Sequence, residues 1–317
     1  MTASFRSLWA SELAAFLAFK RARGHSYGRA EAALRSFDRF LVVRRAGRRQ
    51  LHQAMLKWLG RRPGRKPVTV ACELAVVRQF YAYVQQRGAC RLPEPAWPKL
   101  PATSDYVPYI LSTHDIKQLL YLTTKLRGHR FRRITYRTLI LILYCTGLRF
   151  GEALRLRLQD LDLVAGTLFI LPSKGRSRWV PYHGSLGREL RRYLVARRAY
   201  APAGPDDRFF VGINGHRLPT TTASDTVRIL LRTAGLKPAA GRTGPRPYDL
   251  RHTFAVHRLT RWYRAGVDLH ARLPWLSAYM GHDDLLGTET YLTATPELLA
   301  LAGGRLRRRY VTAGGPP

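Results

Sequence analysis

A few side chains could act together on a charged substrate. Arg149 and Glu152 stand three residues apart in CTGLRFGEAL (145–154), and Lys174 lies in PSKGRSRWVP (172–181). Tyr248, Arg251 and His252 lie in PYDLRHTFA (247–255), and His282 and Tyr291 in YMGHDDLLGTETYL (279–292). Each piece has an ordinary reading alone. Arg149 and Glu152 suit a surface ion pair on one helix face, a lysine at a hairpin tip is commonly just solvated, and a single tyrosine is core or surface. The combined chemistry is more particular. Two arginine forks and a lysine point charge suit phosphate oxygens. The start of a helix adds backbone N–H groups to such a site, and a tyrosine hydroxyl is a latent nucleophile.

The elements that must carry these groups can be read from periodicity. Leu8, Leu13, Phe16 and Leu17 predict a helix over 7–23, and Tyr27, Leu34, Phe37 and Leu41 a second over 26–43. A short helix at 51–59, a basic turn at 61–67 and a helix at 69–87 complete a four-helix bundle. Five prolines in 90–108 mark a spacer. The domains expected are a helical domain at 1–95, a Pro-rich linker at 96–110 and a second domain at 111–317. In the last, a capped helix at 112–120, an apolar helix at 132–146 ending at Gly147 and a helix at 148–158 precede a change of period. Residues 160–182 read as three antiparallel strands with two turns. Helices are expected at 185–199, 221–234, 249–264, 268–280 and 287–302, then a basic tail. The fold class is mainly α with a small antiparallel β-sheet.

Charge identifies the class of partner. Lys and Arg total 54 against 20 acidic residues, a net charge of +34, which points to a polyanion and above all to nucleic acid. The rival, an anionic membrane surface, would call for a basic amphipathic helix or a lipidation motif, and neither is seen. The apolar run TLILILYC (138–145) is too short to span a bilayer. Glu12 interrupts the first apolar pattern and argues against a signal peptide. Cys72, Cys90 and Cys145 form no CxxC pair and read as small buried hydrophobes in a reducing compartment. A cytoplasmic, nucleoid-associated protein is expected.

In order and spacing, Arg149, Lys174, Arg251, His282 and Tyr291 resemble the catalytic set of the tyrosine recombinase (phage-integrase) family. The carriers are Thr146-Gly147-Leu148-Arg149 with Glu152, a hairpin lysine, Tyr248-Asp249-Leu250-Arg251, and Met280-Gly281-His282 followed nine residues later by Tyr291. The resemblance spans essentially the whole chain. It implies that 1–95 is a SAM-like core-binding, DNA-binding bundle and 111–317 an α/β catalytic domain, the two closing as a C-shaped clamp on DNA. It also implies strand cleavage and rejoining through a 3′-phosphotyrosyl link at Tyr291 and a Holliday junction. The partners implied are double-stranded recombination sites, a homotetramer on DNA from a free monomer, and companion recombinases of the same element. No cofactor, ATP or metal is expected, in keeping with the lack of a Walker A pattern or an assignable acidic triad. Glu152 and His252 are supporting residues, and Leu298, Leu299 and Leu301 suit docking of a C-terminal segment, on its own domain or a neighbour's.

Tyr248 departs from the family, which most often has histidine there. Its hydroxyl can donate to a phosphate oxygen but carries no positive charge at neutral pH. A shifted alignment in which His252 or His257 supplies the imidazole stays open. The leading expectation is integration, excision or transposition of a mobile element. The alternatives are a Xer-like dimer resolvase, a type IB topoisomerase and a non-catalytic DNA-binding protein.

Overall fold

The computed structural model describes residues 5–25, 27–60, 67–88, 97–98, 108–171, 177–200, 207–241, 243–282, 286–289, 291 and 304. The chain divides into two compact units, Met1–Tyr106 and Val107–Pro317.

The first unit packs α1 (Ala10–Ala22), α2 (Gly28–Val43), α3 (Leu51–Leu59) and α4 (Pro67–Gln86) around one apolar core. Leu34, Phe37 and Leu41 on α2, and Leu74, Val77, Phe80, Tyr81 and Val84 on α4, are buried as their spacing predicts. On α1 the pattern is offset. Leu8 precedes the helix and is exposed, whereas Trp9 is fully buried and continues the Leu13–Phe16–Leu17 face. Asp38 is buried on α2, where it accepts from the backbone N–H groups of Arg6 (2.8 Å) and Ser7 (2.9 Å) and so fixes the entry into α1. Cys72 is exposed on α4, contrary to the expectation of a buried thiol, and Cys145 is only partly covered. Cys90 lies outside the described residues.

The second unit begins with α5 (Thr113–Thr124), opened by a reciprocal cap. Ser112 Oγ accepts from Asp115 N (3.1 Å) and Asp115 Oδ2 accepts from Ser112 N (2.8 Å), worth about 1 kcal/mol. Next come α6 (Arg130–Thr146) and a short α7 (Phe150–Arg155). The helix expected over 148–158 stops early because Leu156 turns extended. Leu156 O then accepts from Phe209 N (2.7 Å), and Leu158 N donates to Asp207 O (2.9 Å).

The sheet is β1 (Leu161–Asp162), β2 (Thr167–Ile170) and β3 (Arg178–Pro181), antiparallel in that order, with Leu168 opposite Val180. Asp162 Oδ1 closes the first turn by accepting from Val164 N and Ala165 N. Residues 172–176, with Lys174, lie outside the described residues.

The chain continues through α8 (Gly184–Tyr200), α9 (Thr220–Thr233), α10 (Asp249–Arg264), α11 (Leu269–Met280) and α12 (Leu286–Glu289). Most of a predicted helix over 287–302, and the docking leucines in it, fall outside the described residues. The central helix α6 carries Leu139, Ile140, Ile142 and Leu143 into the main core, while a second cluster joins α10 to α11 and includes Tyr291. No helix among the described residues is long and apolar enough to cross a membrane.

Candidate active site

Two helix ends meet at the arginines. A helix leaves its last carbonyls unpaired and carries partial negative charge there. Gly147 ends α6 and Gly281 ends α11, both in the left-handed region at φ 62° and 68°. Arg251 Nη1 donates to Gly147 O (2.6 Å) and Nη2 to Met280 O (2.8 Å). Arg149 Nη2 donates to Gly281 O (2.7 Å). The Gly-Leu-Arg and Met-Gly-His motifs thus have a physical reason. Each glycine turns its chain at a helix end, and the carbonyls there seat the guanidinium groups. Gly147 has a second constraint, since a Cβ there would lie 2.3 Å from the Phe254 ring.

Arg149 caps α7 from extended backbone, and Glu152 one turn on reaches back to it. Glu152 Oε2 accepts from Arg149 N (3.0 Å) and Oε1 from Arg149 Nη1 (2.8 Å). The Glu152 side chain is fully buried and also binds Arg178 Nη2 at 2.9 Å. Burial alone would raise its carboxyl. The Arg178 hydrogen bond and charge, followed by the Arg149 bonds, outweigh that and hold it below the usual carboxylate range. The expected surface pair is therefore a buried one. Arg178 escaped the sequence reading, yet a signal was there: two residues before the buried Val180, it falls on the inward register of β3.

The start of α10 is filled from within. Asp249 is fully buried, and its Oδ2 accepts from Arg246 N (2.7 Å), so a carboxylate already complements that helix end. Arg251, on the first turn, is also buried; burial lowers its pKa, with Tyr248 and Tyr291 opposing. Tyr248 at the N-cap is exposed and meets the His252 ring edge-on, centroids 4.9 Å apart.

His252 in turn lies edge-on to Tyr291 at 5.4 Å, and Tyr291 stacks on His282 at 6.2 Å and 25°. Burial pushes His252 down to about 4. The Asp249 carboxylate resists, but at 3.9 Å it is too far to hydrogen-bond, and the imidazole is neutral at physiological pH. His257 sits elsewhere, its Nδ1 3.1 Å from the Tyr144 hydroxyl, so of the two alternatives only His252 adjoins Tyr291.

Tyr291 is buried, which raises its phenol pKa, while the Arg251 charge pulls it down. Thr288, also unnoticed in the sequence, ties the last two groups together. Its Oγ1 pairs with His282 Nδ1 (2.7 Å) and its carbonyl accepts from Tyr291 N (3.0 Å). The structure therefore brings Arg149, Glu152, Tyr248, Arg251, His252, His282 and Tyr291 into one cluster. Lys174 lies outside the described residues.

The family model of the phage integrase family matches residues 110–297, well over half of the chain and the whole of this cluster. The chain belongs to the phage integrase family, the tyrosine recombinases. This tyrosine recombinase is 35% identical over 304 residues to the Sinorhizobium fredii protein named integrase/recombinase y4rB, covering 93% of this chain and 96% of that one. It is also 30% identical over 228 residues to tyrosine recombinase XerC of Roseiflexus sp., covering 70% and 67% of the two chains. In fold it is similar to the Tn1549 transposon integrase in complex with circular intermediate DNA (TM-score 0.66, 20% identity, 93% and 99% covered). It is similar also to XerH recombinase bound to its palindromic difH substrate (TM-score 0.65, 19% identity, 86% and 77% covered).

Proposed function

We propose that this tyrosine recombinase cuts and rejoins duplex DNA with Tyr291 as the nucleophile. The observation that carries the reading is the meeting of Arg149, Arg251, His282 and Tyr291, from three distant segments, around two helix ends. The Tyr291 oxygen attacks phosphorus, the bond to the 5′ oxygen breaks, and a 3′-phosphotyrosyl ester forms. Arg149 and Arg251 take the non-bridging oxygens as charge grows on them. His282 hydrogen-bonds the phosphate or takes the phenol proton, Tyr248 donates a neutral hydrogen bond, and Lys174 protonates the departing 5′ oxygen. The ester keeps the bond energy, so a 5′ hydroxyl from another strand reverses the step without ATP or metal. Exchange of both strand pairs proceeds through a Holliday junction in a homotetramer. Integration or excision of a mobile element is the favoured role, supported by the near full-length likeness to a protein named integrase/recombinase. The XerC likeness favours dimer resolution as the second reading.

The test uses nicked suicide duplexes with randomised centres, so no target sequence need be known. An SDS-resistant adduct that disappears with Tyr291→Phe is expected. No adduct, or one surviving that change, overturns the assignment. Plasmid relaxation without strand exchange would point to a topoisomerase.

A further inference from the structure

The roles proposed above leave unused a largely buried side chain that ties the helix-end machinery to the sheet. Arg178 is the first residue of β3. Its Nε donates to Tyr279 O (2.9 Å), near the end of α11, and its Nη2 to Glu152 Oε2 (2.9 Å), with Nη1 3.4 Å from Oε1. Its side chain is only 10% exposed. Gly281 presses so close that a Cβ there would lie 2.5 Å from Nη1. Glu152 passes the connection to Arg149, and Arg149 returns it to Gly281 O. The hydrogen bonds close a ring through β3, α7 and the end of α11.

We infer that Arg178 is a positioning residue for strand cleavage, setting Arg149 through Glu152 and the Gly281–His282 turn through Tyr279. A buried carboxylate between two arginines is held from both sides, so neither arginine can move alone. Without Arg178, Glu152 keeps one partner, and Arg149 can swing with it. β3 also loses one of its ties to α11, leaving the bond from the Tyr279 hydroxyl to Pro181 O (3.0 Å). A lysine at 178 keeps the charge but has no planar fork, so it cannot serve Tyr279 O and both carboxylate oxygens together.

The inference rests on the proposed roles of Arg149 and Tyr291. Its experiment takes a duplex recovered from the randomised pool and measures cleavage at saturating protein, DNA affinity and thermal unfolding for the full-length chain. Arg178→Lys is expected to bind within about twofold of the parent and to cleave about 100-fold more slowly, the effect of a small misplacement of a catalytic group. The pair Arg178→Gln with Glu152→Gln, which removes both charges together, is expected to slow cleavage similarly, and it serves if the lysine variant folds poorly. Parental cleavage by either folded variant, or a loss that only follows DNA affinity or unfolding, overturns the inference. If the parent forms an adduct that Tyr291→Phe abolishes, that failure belongs to Arg178 alone. A parent with no adduct defeats the Tyr291 assignment and this inference together.

Discussion

His252 lies edge-on to Tyr291, ring centroids 5.4 Å apart, and is neutral because burial depresses its pKa to about 4. Its ordinary value is near 6.5, so the unfolded chain takes up a proton that the folded chain refuses. Stability is then full above about pH 6.5 and falls as the pH drops toward 4, by up to about 3 kcal/mol. Thermal unfolding of the parent and of His252→Gln over pH 4–8 should show the parent's slope flattened in the variant. Equal slopes would remove His252 as the cause.

Tyr248 is exposed at the start of α10. As a donor of one hydrogen bond to phosphate, its loss in Tyr248→Phe should slow cleavage about tenfold, while Tyr248→His preserves the rate. Unchanged cleavage by the Phe variant would take position 248 out of the active site.

Arg251 fills two buried carbonyls as well as facing the candidate nucleophile. Arg251→Ala should therefore cost about 2–4 kcal/mol of stability by stranding Gly147 O and Met280 O and opening a cavity. Chemical denaturation measures it; a loss below about 0.5 kcal/mol would mean the carbonyls find water at no cost.

Gly147→Ala tests the helix end itself. The left-handed backbone costs an L-residue about 1–2 kcal/mol, and the Phe254 contact adds about 1–3 kcal/mol of overpacking. Adding Phe254→Ala should not restore full stability, since the backbone strain persists. A Gly147→Ala protein as stable as the parent would contradict both terms.

What could be read in advance was what the chain carries locally. Periodicity placed the α2 and α4 faces, and glycine ends and motif spacing picked out Arg149, Arg251, His282 and Tyr291 as candidates, which the fold gathers into one cluster. The bundle, the three-stranded meander and the full span of α10 follow from the same patterns. The register of β3 turns Arg178 inward, but its partner Tyr279 O, like the partner of Thr288, His282 Nδ1, is set only by the folded chain. The α1 face runs through Trp9 rather than Leu8 because Trp9, Leu13 and Phe16 follow the i, i+4, i+7 helical spacing, which Leu8 does not share. The Arg149–Glu152 spacing foretold a pair but not its burial, which depends on Arg178 arriving from β3.

Thr288 holds His282 by its hydroxyl and Tyr291 by its carbonyl. A shift of Tyr291 that keeps its amide bond carries Thr288 along and pulls on the imidazole. On the roles proposed above, one threonine thus couples the position of the phenol to the aim of the imidazole.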